Sequence, residues 1–327
     1  MNRLDNIIVG VDFSDFSRTA LDQAERMARW NQSDLHVMHV LDKLVVKKLG
    51  KVIGGSPEEL SQNVLETTQE RIRELFTDEP LEQRKESLVS VPPETHERRR
   101  QGQRRFELKA EVVIGEPFRE IMRQVQDVHA DLLMLGSNGM SDPRRGLGEL
   151  AAQCVRKAPC RVMVVRKSQV EPFSDVLACV DFSDSSAGVV EQAIRVAKQD
   201  QATLHLAHMF MPPWNILHYK SPTAAGSPDF QKQYRENLIG QLKKYLQKHE
   251  DDIRDLRVEC RLIEGPSPVD GIIDYVEKNS VDLVLVGTRG KTGMKEKIFG
   301  TLAERVINHA PVSVLVLKPQ GYTDKVS

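Results

Sequence analysis

The amino-acid sequence predicts an α/β protein with two similar domains, each an open five-stranded parallel sheet with helices on both faces. The stretch Val-Asp-Phe-Ser-Asp occurs twice, at 11–15 and at 180–184, each time between a short apolar run and a helical pattern. Short apolar runs then alternate with amphipathic stretches through both halves, which is typical of parallel β-α-β units. A chain of 327 residues is long enough for two such domains.

The first half contains the elements of one such domain in order. A strand is predicted from Ile7, and a helix follows the Val-Asp-Phe-Ser-Asp stretch. Its apolar residues recur at helical spacing, at Ala20, Leu21, Ala24, Met27 and Ala28. A second strand begins at Leu35, and a second helix and a third apolar strand follow. The segments DLLMLG and RVMVV, each after a helix, complete the half as its fourth and fifth strands.

The second half repeats this order, from a strand at Val176 through LHLAHMF and DLVLVG to VSVLVL. A polar segment with a proline, 166–175, separates the repeats, so we expect one domain over 1–168 and another over 173–320. The final strands, Arg161–Val165 and Val312–Leu317, are strongly apolar, and an exposed apolar edge is a liability unless it is paired. We expect these two strands to pair as an intrachain pseudo-dimer, and a homodimer is left open.

The first half is longer than the second, and the excess fits best at 77–105. This segment is charged, contains three prolines and lacks a sustained apolar face, which favours a solvated insertion. The alternative is a docking patch for an acidic partner. Its five arginines would be Arg98, Arg99, Arg100, Arg104 and Arg105.

Charge and cysteine usage limit the classes of partner and compartment. The net charge is -1, so the field of the whole chain does not favour nucleic acid or an anionic membrane as a partner. The four cysteines show no disulfide framework or metal-ligand spacing, which fits a reducing compartment. No signal peptide or membrane span is expected, because an Asp comes early and every apolar run is short. We therefore expect a cytoplasmic protein.

A glycine-rich segment in the second half, GTRGKTGMKEKIFGT from Gly287, predicts a phosphate site. It is not a P-loop, because the position that needs the first glycine is Leu285, inside a strand. Instead, Gly287 and Gly290 allow backbone N–H groups to approach a ligand, and Gly300 and Thr301 open the next helix. The unpaired N–H groups and the positive dipole end of that helix favour an anion.

Further residues support this site, although each has a structural alternative. Positive charge is supplied nearby by Arg289, Lys291, Lys295 and Lys297. Asp181 follows the first strand of this half, at the sheet edge where ligands of open α/β sheets bind. The glycines could also be ordinary turn residues, Thr301 and Glu304 a capping box, and Asp181 a cap for a helix near Ser185.

The two Val-Asp-Phe-Ser-Asp copies, the LH…H second strands and the glycine segment resemble tandem universal stress proteins over nearly the whole chain. The resemblance implies Rossmann-like domains with strand order 3-2-1-4-5. It also implies ATP binding through G-x-x-G-x9-G-[ST], and the motif residues assigned to this site are Gly287, Thr288, Arg289, Gly290, Gly300 and Thr301. Asp181 and Met209 would then flank adenine and ribose.

The first half departs from this motif. Gly136 and Gly139 match it, but Gly148 comes one position early and Glu149 follows in place of Ser or Thr. A carboxylate at a helix start satisfies the groups that a phosphate would use and repels the phosphate. We therefore predict that the first half does not bind ATP in this way. A Gly-x-Gly-x-x-Ala match from Gly146 does not directly follow a strand and does not indicate dinucleotide binding.

Signals for catalysis are weak. Neither a G-x-S-x-G nor an H-E-x-x-H motif is present, and His39 and His208, at equivalent strand positions, are expected to pack rather than bind metal. The Asp and Ser residues of the two repeated stretches could hold Mg²⁺ with a nucleotide or act as turn and N-cap residues. We predict a cytoplasmic stress-response regulator that binds ATP in its second domain without fast turnover. The alternatives are a slow ATPase or nucleotidyl-transfer enzyme and a nucleotide-free interaction scaffold.

Overall fold

The computed structural model confirms the α/β class, with parallel strands and helices in both halves. It describes residues 4–53, 57–75, 107–139, 147–166, 172–183, 185–214, 227–265, 267–288 and 300–319. The predicted insertion at 77–105, with its arginines, lies outside these residues. The described chain forms two compact units. The first runs up to Gly139 and includes 148–154, and the second contains Leu147 and the residues from Val155 onward.

The first unit contains four parallel strands and their helices. In chain order the elements are β1 (Asn6–Gly10), α1 (Asp15–Asn31), β2 (Asp34–Asp42), α2 (Lys43–Ile53), α3 (Pro57–Glu74), β3 (Leu108–Gly115), α4 (Pro117–Asp127) and β4 (Leu132–Gly136). β1 lies between β2 and β4, and β3 pairs with the other edge of β2. Helix α5 (Glu149–Lys157) begins in this unit.

Helix α1 shows how the repeated stretch starts a helix. Ser14 is the N-cap, and its side chain accepts a hydrogen bond from the Ser17 amide. The helix ends at Gln32, a left-handed residue whose N–H bonds to the last carbonyls. The predicted apolar face is confirmed, since Ala20, Leu21, Ala24, Met27 and Ala28 are all buried.

The second unit contains six strands. Its elements are β5 (Arg161–Val165), β6 (Asp175–Val180), α6 (Ser185–Asp200), β7 (Thr203–Phe210), α7 (Pro228–Gln247), α8 (Glu250–Ile253), β8 (Val258–Glu264), α9 (Pro268–Lys278), β9 (Leu283–Gly287), α10 (Thr301–His309) and β10 (Ser313–Leu317). β6 lies between β7 and β9, β8 pairs with β7, and β10 pairs with β9, all in parallel.

The two final strands of the halves pair with each other, as the sequence predicts. β5 and β10 are antiparallel, with Leu315 opposite Met163 and Val316 opposite Val162. Both strands are almost completely buried. This pairing places β5 in the second compact unit, although the sequence repeat assigns the strand to the first half.

Two global properties of the described residues bear on partners. No helix among them is long and apolar enough to cross a membrane. All four cysteines are free, which agrees with the absence of a disulfide framework in the sequence. Burial raises the pKa of Cys179 to about 12, so its thiol remains protonated.

Candidate functional site

The second unit brings most of the predicted phosphate-site residues to one edge of its sheet. β6, β7 and β9 are parallel neighbours, so the residues at their carboxyl ends meet at the same edge. Asp181 follows β6, Met209 is the penultimate residue of β7, and Gly287 ends β9. Gly300 joins them because its amide donates a 3.0 Å hydrogen bond to the Thr288 carbonyl. Arg289 and Gly290 lie outside the described residues, as do Lys291, Lys295 and Lys297.

Helix α10 begins at the predicted point but is capped differently from the proposed alternative. Gly300 is the N-cap, and no side chain makes a cap hydrogen bond, so the capping box of Thr301 and Glu304 is wrong. Thr301 is instead the first helical residue, one position beyond the place where its hydroxyl could cap the helix. The Glu304 carboxylate lies 3.4 Å from the Arg156 guanidinium. The first N–H groups of α10 therefore have no side-chain acceptor at the N-cap.

Among the described residues, the buried Thr288 hydroxyl has no hydrogen-bond partner. Thr288 is only 4% exposed, and its backbone amide donates to the Leu317 carbonyl at 3.0 Å. Its carbonyl accepts from Gly300, but its Oγ1 atom has no partner. A buried hydroxyl without a hydrogen bond costs about 1–3 kcal/mol. Such a group at a predicted ligand site indicates an unmet partner.

Gly300 is required by the close approach of two backbone segments. A Cβ atom at this position would lie 2.7 Å from the Thr288 carbonyl oxygen, which belongs to the backbone and cannot move aside cheaply. Gly300 is therefore required by the fold, whether or not a ligand is bound. The equivalent position of the first half, Gly148, makes the same contact, with its amide 2.8 Å from the Ser137 carbonyl.

Asp181 holds the loop that starts helix α6. Its Oδ1 atom accepts hydrogen bonds from the Ser183 amide, the Ser183 hydroxyl and the Ser186 hydroxyl, at 3.0, 2.5 and 2.7 Å. In the first half, Asp12 accepts from the amide and hydroxyl of Ser14 in the same manner. These aspartates orient the serines at the helix start, and in the first half the N-cap of α1 is Ser14 rather than Asp12.

Met209 fills a space next to helix α9. A Cβ atom at Gly271 would lie 2.4 Å from the Met209 Cε atom, so the absence of a side chain at Gly271 admits the methionine. Met209 is half-buried, at the same sheet edge as Asp181. Its thioether is flexible and polarisable, which suits a surface that contacts a planar ring.

The two strand histidines pack as predicted. The His39 Nδ1 atom donates to the Val11 carbonyl at 2.5 Å, and that of His208 donates to the Val180 carbonyl at 2.7 Å. Burial lowers the pKa of His39, although its hydrogen bond to the carbonyl opposes the shift. No group of three or more His, Cys, Asp or Glu side chains in the described parts of the chain could hold a metal ion.

Sequence reasoning missed the conformation of the phenylalanine in each repeated stretch. Phe13 and Phe182 are left-handed, with φ of 64° and 60°, which is uncommon for a bulky residue. The conformation places each ring against the strand histidine in a tilted arrangement, with centroids 4.8 Å apart for Phe13 and His39 and 4.1 Å for Phe182 and His208. The recurrence of the Phe in both copies was the only sequence signal for it.

The first half has the same backbone contact between helix start and strand end, but it carries a negative charge at the first helical position. Helix α5 begins at Glu149, directly after Gly148, so a carboxylate occupies the first helical position. Glu149 is exposed and accepts a 3.2 Å hydrogen bond from the Gln153 side chain. Gly146, where the apparent dinucleotide fingerprint begins, lies outside the described residues.

Comparisons with known proteins agree on one family. The sequence model of the Universal stress protein family matches residues 3–166 and again residues 172–318. A universal stress protein of Mycolicibacterium smegmatis is 24% identical over 319 residues, or 96% of this chain and 97% of that protein. One from Methanocaldococcus jannaschii is 27% identical over 150 residues, or 45% of this chain and 82% of its own. A universal stress protein structure from Archaeoglobus fulgidus, 18% identical, covers 96% of this chain and 98% of its own with a TM-score of 0.58, which shows the same fold.

Proposed function

Because this chain belongs to the universal stress protein family and carries two copies of its domain, we propose that it binds ATP in its second half. The protein would act as a cytoplasmic stress-response regulator, with nucleotide occupancy altering its shape or its partners. The buried, unpaired Thr288 hydroxyl carries this proposal, because it lies at the sheet edge where the phosphate site is expected.

The phosphates would lie at the start of helix α10. The Gly300 N-cap leaves the first N–H groups without a side-chain acceptor, and the positive dipole end favours an anion at this point. The Thr288 hydroxyl would donate to a phosphate oxygen, which supplies its missing hydrogen bond. Arg289 and Gly290 belong to the same motif and would complete the cradle.

The nucleoside would lie toward strand β6 and strand β7. Asp181 accepts hydrogen bonds through Oδ1, and its carboxylate could also accept from ribose hydroxyls. Met209, in the space left by Gly271, would contact adenine. If Mg²⁺ accompanies the nucleotide, the phosphates would supply most of its ligands, as they do in other nucleotide sites.

The first half supports the proposal by contrast. Its glycine loop contacts its helix start through the same backbone hydrogen bond, from Gly148 to Ser137. Glu149 nevertheless places a negative charge at the first helical position, where it competes with a phosphate for the dipole and repels it. We propose one nucleotide per chain.

Mass spectrometry of small molecules released on denaturation tests this proposal. Wild-type protein should release up to one ATP per chain, and Thr301→Glu, which copies the first half's carboxylate, should release none. Thr301→Glu retains Gly300 and its contact to Thr288, so the backbone is preserved. Asn308→Glu is the matched control, because it adds the same charge to an exposed position near the other end of α10.

Four outcomes would contradict the proposal or revise it. Equal ATP in wild type and Thr301→Glu would place the nucleotide elsewhere. Two ATP per chain would show that Glu149 does not exclude it from the first half. If neither protein carries ATP and calorimetric titration detects no binding, the interaction scaffold replaces the proposal. Release of ADP or AMP that increases with incubation time would favour the slow enzyme.

A further inference from the structure

Helix α2 exposes an unusual amount of apolar surface. Leu44 is 60% exposed, Val45 53% and Leu49 40%. Within the described residues, only four other large apolar side chains are classed as exposed, and none of them lies on this helix. Scattered single apolar residues need no explanation, but three within six positions of one helix form a patch.

The helix is held in place by its first residues and by one buried side chain. The Asp42 carboxylate accepts a 2.7 Å hydrogen bond from the Leu44 amide, which fixes the start of the helix. Val46 is buried, at 7% exposure, and the helix packs against β2 and α3. Leu44 lies about 160° around the helix from Val46 and therefore projects outward, with Val45 on the flank of this anchored helix.

The same surface is basic. Lys43, Lys47 and Lys48 are all exposed, and the helix sequence KLVVKKLGKVI contains no Asp or Glu. At about 100° per residue, Leu44 lies between Lys47 and Lys48 around the helix. The exposed surface therefore mixes aliphatic side chains with ammonium groups, as in helices that lie in a membrane interface.

We propose that α2 binds peripherally to an anionic lipid surface. Leu44, Val45 and Leu49 would enter the boundary between headgroups and acyl chains, and the lysines would extend to the lipid phosphates. The net charge of -1 for the whole chain does not oppose this, because charges are screened beyond about 10 Å at moderate ionic strength. This proposal does not depend on nucleotide binding.

The shape of the patch favours lipid over an acidic protein. A helix that docks in a protein groove presents its apolar residues as one stripe at helical spacing. Here Lys48 lies between Leu44 on one side and Val45 and Leu49 on the other, so the three exposed apolar residues do not form one stripe. A fluid interface accommodates such a convex ridge, because each side chain reaches its own depth. Glu66 and Glu70 are exposed on the adjacent α3 and oppose the attraction, so the binding should be weak and sensitive to salt.

Vesicle co-sedimentation of the full-length protein tests the proposal. The vesicles contain phosphatidylcholine alone or mixed with phosphatidylglycerol. We expect binding to the anionic vesicles only, and it should decrease as salt increases. Replacing Lys43, Lys47 and Lys48 together by Gln should lower the partition coefficient about 100-fold, since each lysine near such a surface contributes about fivefold, or about 1 kcal/mol.

Two matched variants distinguish binding through α2 from non-specific hydrophobic adsorption to the vesicles. Leu44→Ser/Val45→Ser/Leu49→Ser should abolish vesicle binding, whereas Met211→Ser/Phe230→Ser, which removes other exposed apolar side chains, should leave it unchanged. Circular dichroism would confirm that each variant remains folded. Absence of binding to anionic vesicles, or equal loss in both apolar variants, overturns the proposal. Binding to an acidic peptide without binding to vesicles also overturns it and assigns the helix to a protein partner.

Discussion

Replacing Thr288 by Val should stabilise the nucleotide-free protein and weaken ATP binding. Valine has nearly the same shape but lacks the hydroxyl, which is buried and has no hydrogen-bond partner in the described part of the chain. Removing a buried polar group without a partner recovers part of its desolvation cost, so the free energy of unfolding should rise by about 1 kcal/mol. A hydrogen bond to a charged phosphate contributes about 1.5–3 kcal/mol, so the Kd for ATP should rise roughly 10- to 100-fold.

Urea denaturation of the nucleotide-free protein and calorimetric titration with ATP measure these two effects. Thr19→Val is the matched control, because Thr19 is equally buried, at 4% exposure, but its hydroxyl donates a 2.9 Å hydrogen bond to the Asp15 carbonyl. That variant should lose about 1 kcal/mol of stability and retain ATP affinity. If Thr288→Val loses stability as Thr19→Val does, the hydroxyl is paired and the argument fails. Unchanged ATP affinity would show that Thr288 does not contact the ligand.

Three further predictions concern the fold. Val316→Lys should prevent stable folding, because an unpaired charge would be buried in β10 at a cost of several kcal/mol, and soluble yield and thermal unfolding measure this. Burial lowers the pKa of His36 below 6.5, so as the pH falls below 6.5 the unfolded chain binds a proton that the folded protein does not. The free energy of unfolding should therefore decrease in this range, and His36→Leu should reduce the decrease measured in urea titrations. Gly300→Ala should destabilise the protein by about 1–3 kcal/mol, because the added Cβ would lie 2.7 Å from the Thr288 carbonyl oxygen. Gly148→Ala should cost less, because its Cβ would lie 3.3 Å from the Ser137 carbonyl oxygen.

The sequence predicted the strands and the sheet edge because both depend on local, periodic signals. The apolar face of α1 and the β5–β10 pair follow from hydrophobic patterning, which burial enforces. The sequence predicted the wrong N-cap for α10, because two neighbouring residues were both suitable N-cap residues. Gly and Thr both act as N-caps, so the sequence alone could not decide that α10 is capped by Gly300 and that Thr301 comes one position later.

Other features depend on three-dimensional surroundings and have no sequence signal. A threonine at the end of a strand is common, and only the packing around Thr288 shows that its hydroxyl has no partner. The left-handed conformation of Phe182 is disfavoured for its residue type, so local propensity predicts against it. The unit boundary near Val155 likewise reflects the partner of β5, which lies far away in the sequence.

The two halves separate the structural requirements of this site from its requirements for a ligand. The hydrogen bond from the helix-start glycine to the strand-end loop occurs in both, at 2.8 Å from Gly148 and 3.0 Å from Gly300. Since the half with Glu149 keeps this contact, the contact serves the fold, and substitutions of these glycines report on stability. What differs is the charge at the first helical position, so a substitution of Thr301 tests the proposed nucleotide site, and so does one of Thr288, whose buried hydroxyl has no partner among the described residues. An ATP-binding defect is therefore informative when it arises at these threonines and uninformative when it arises at the glycines.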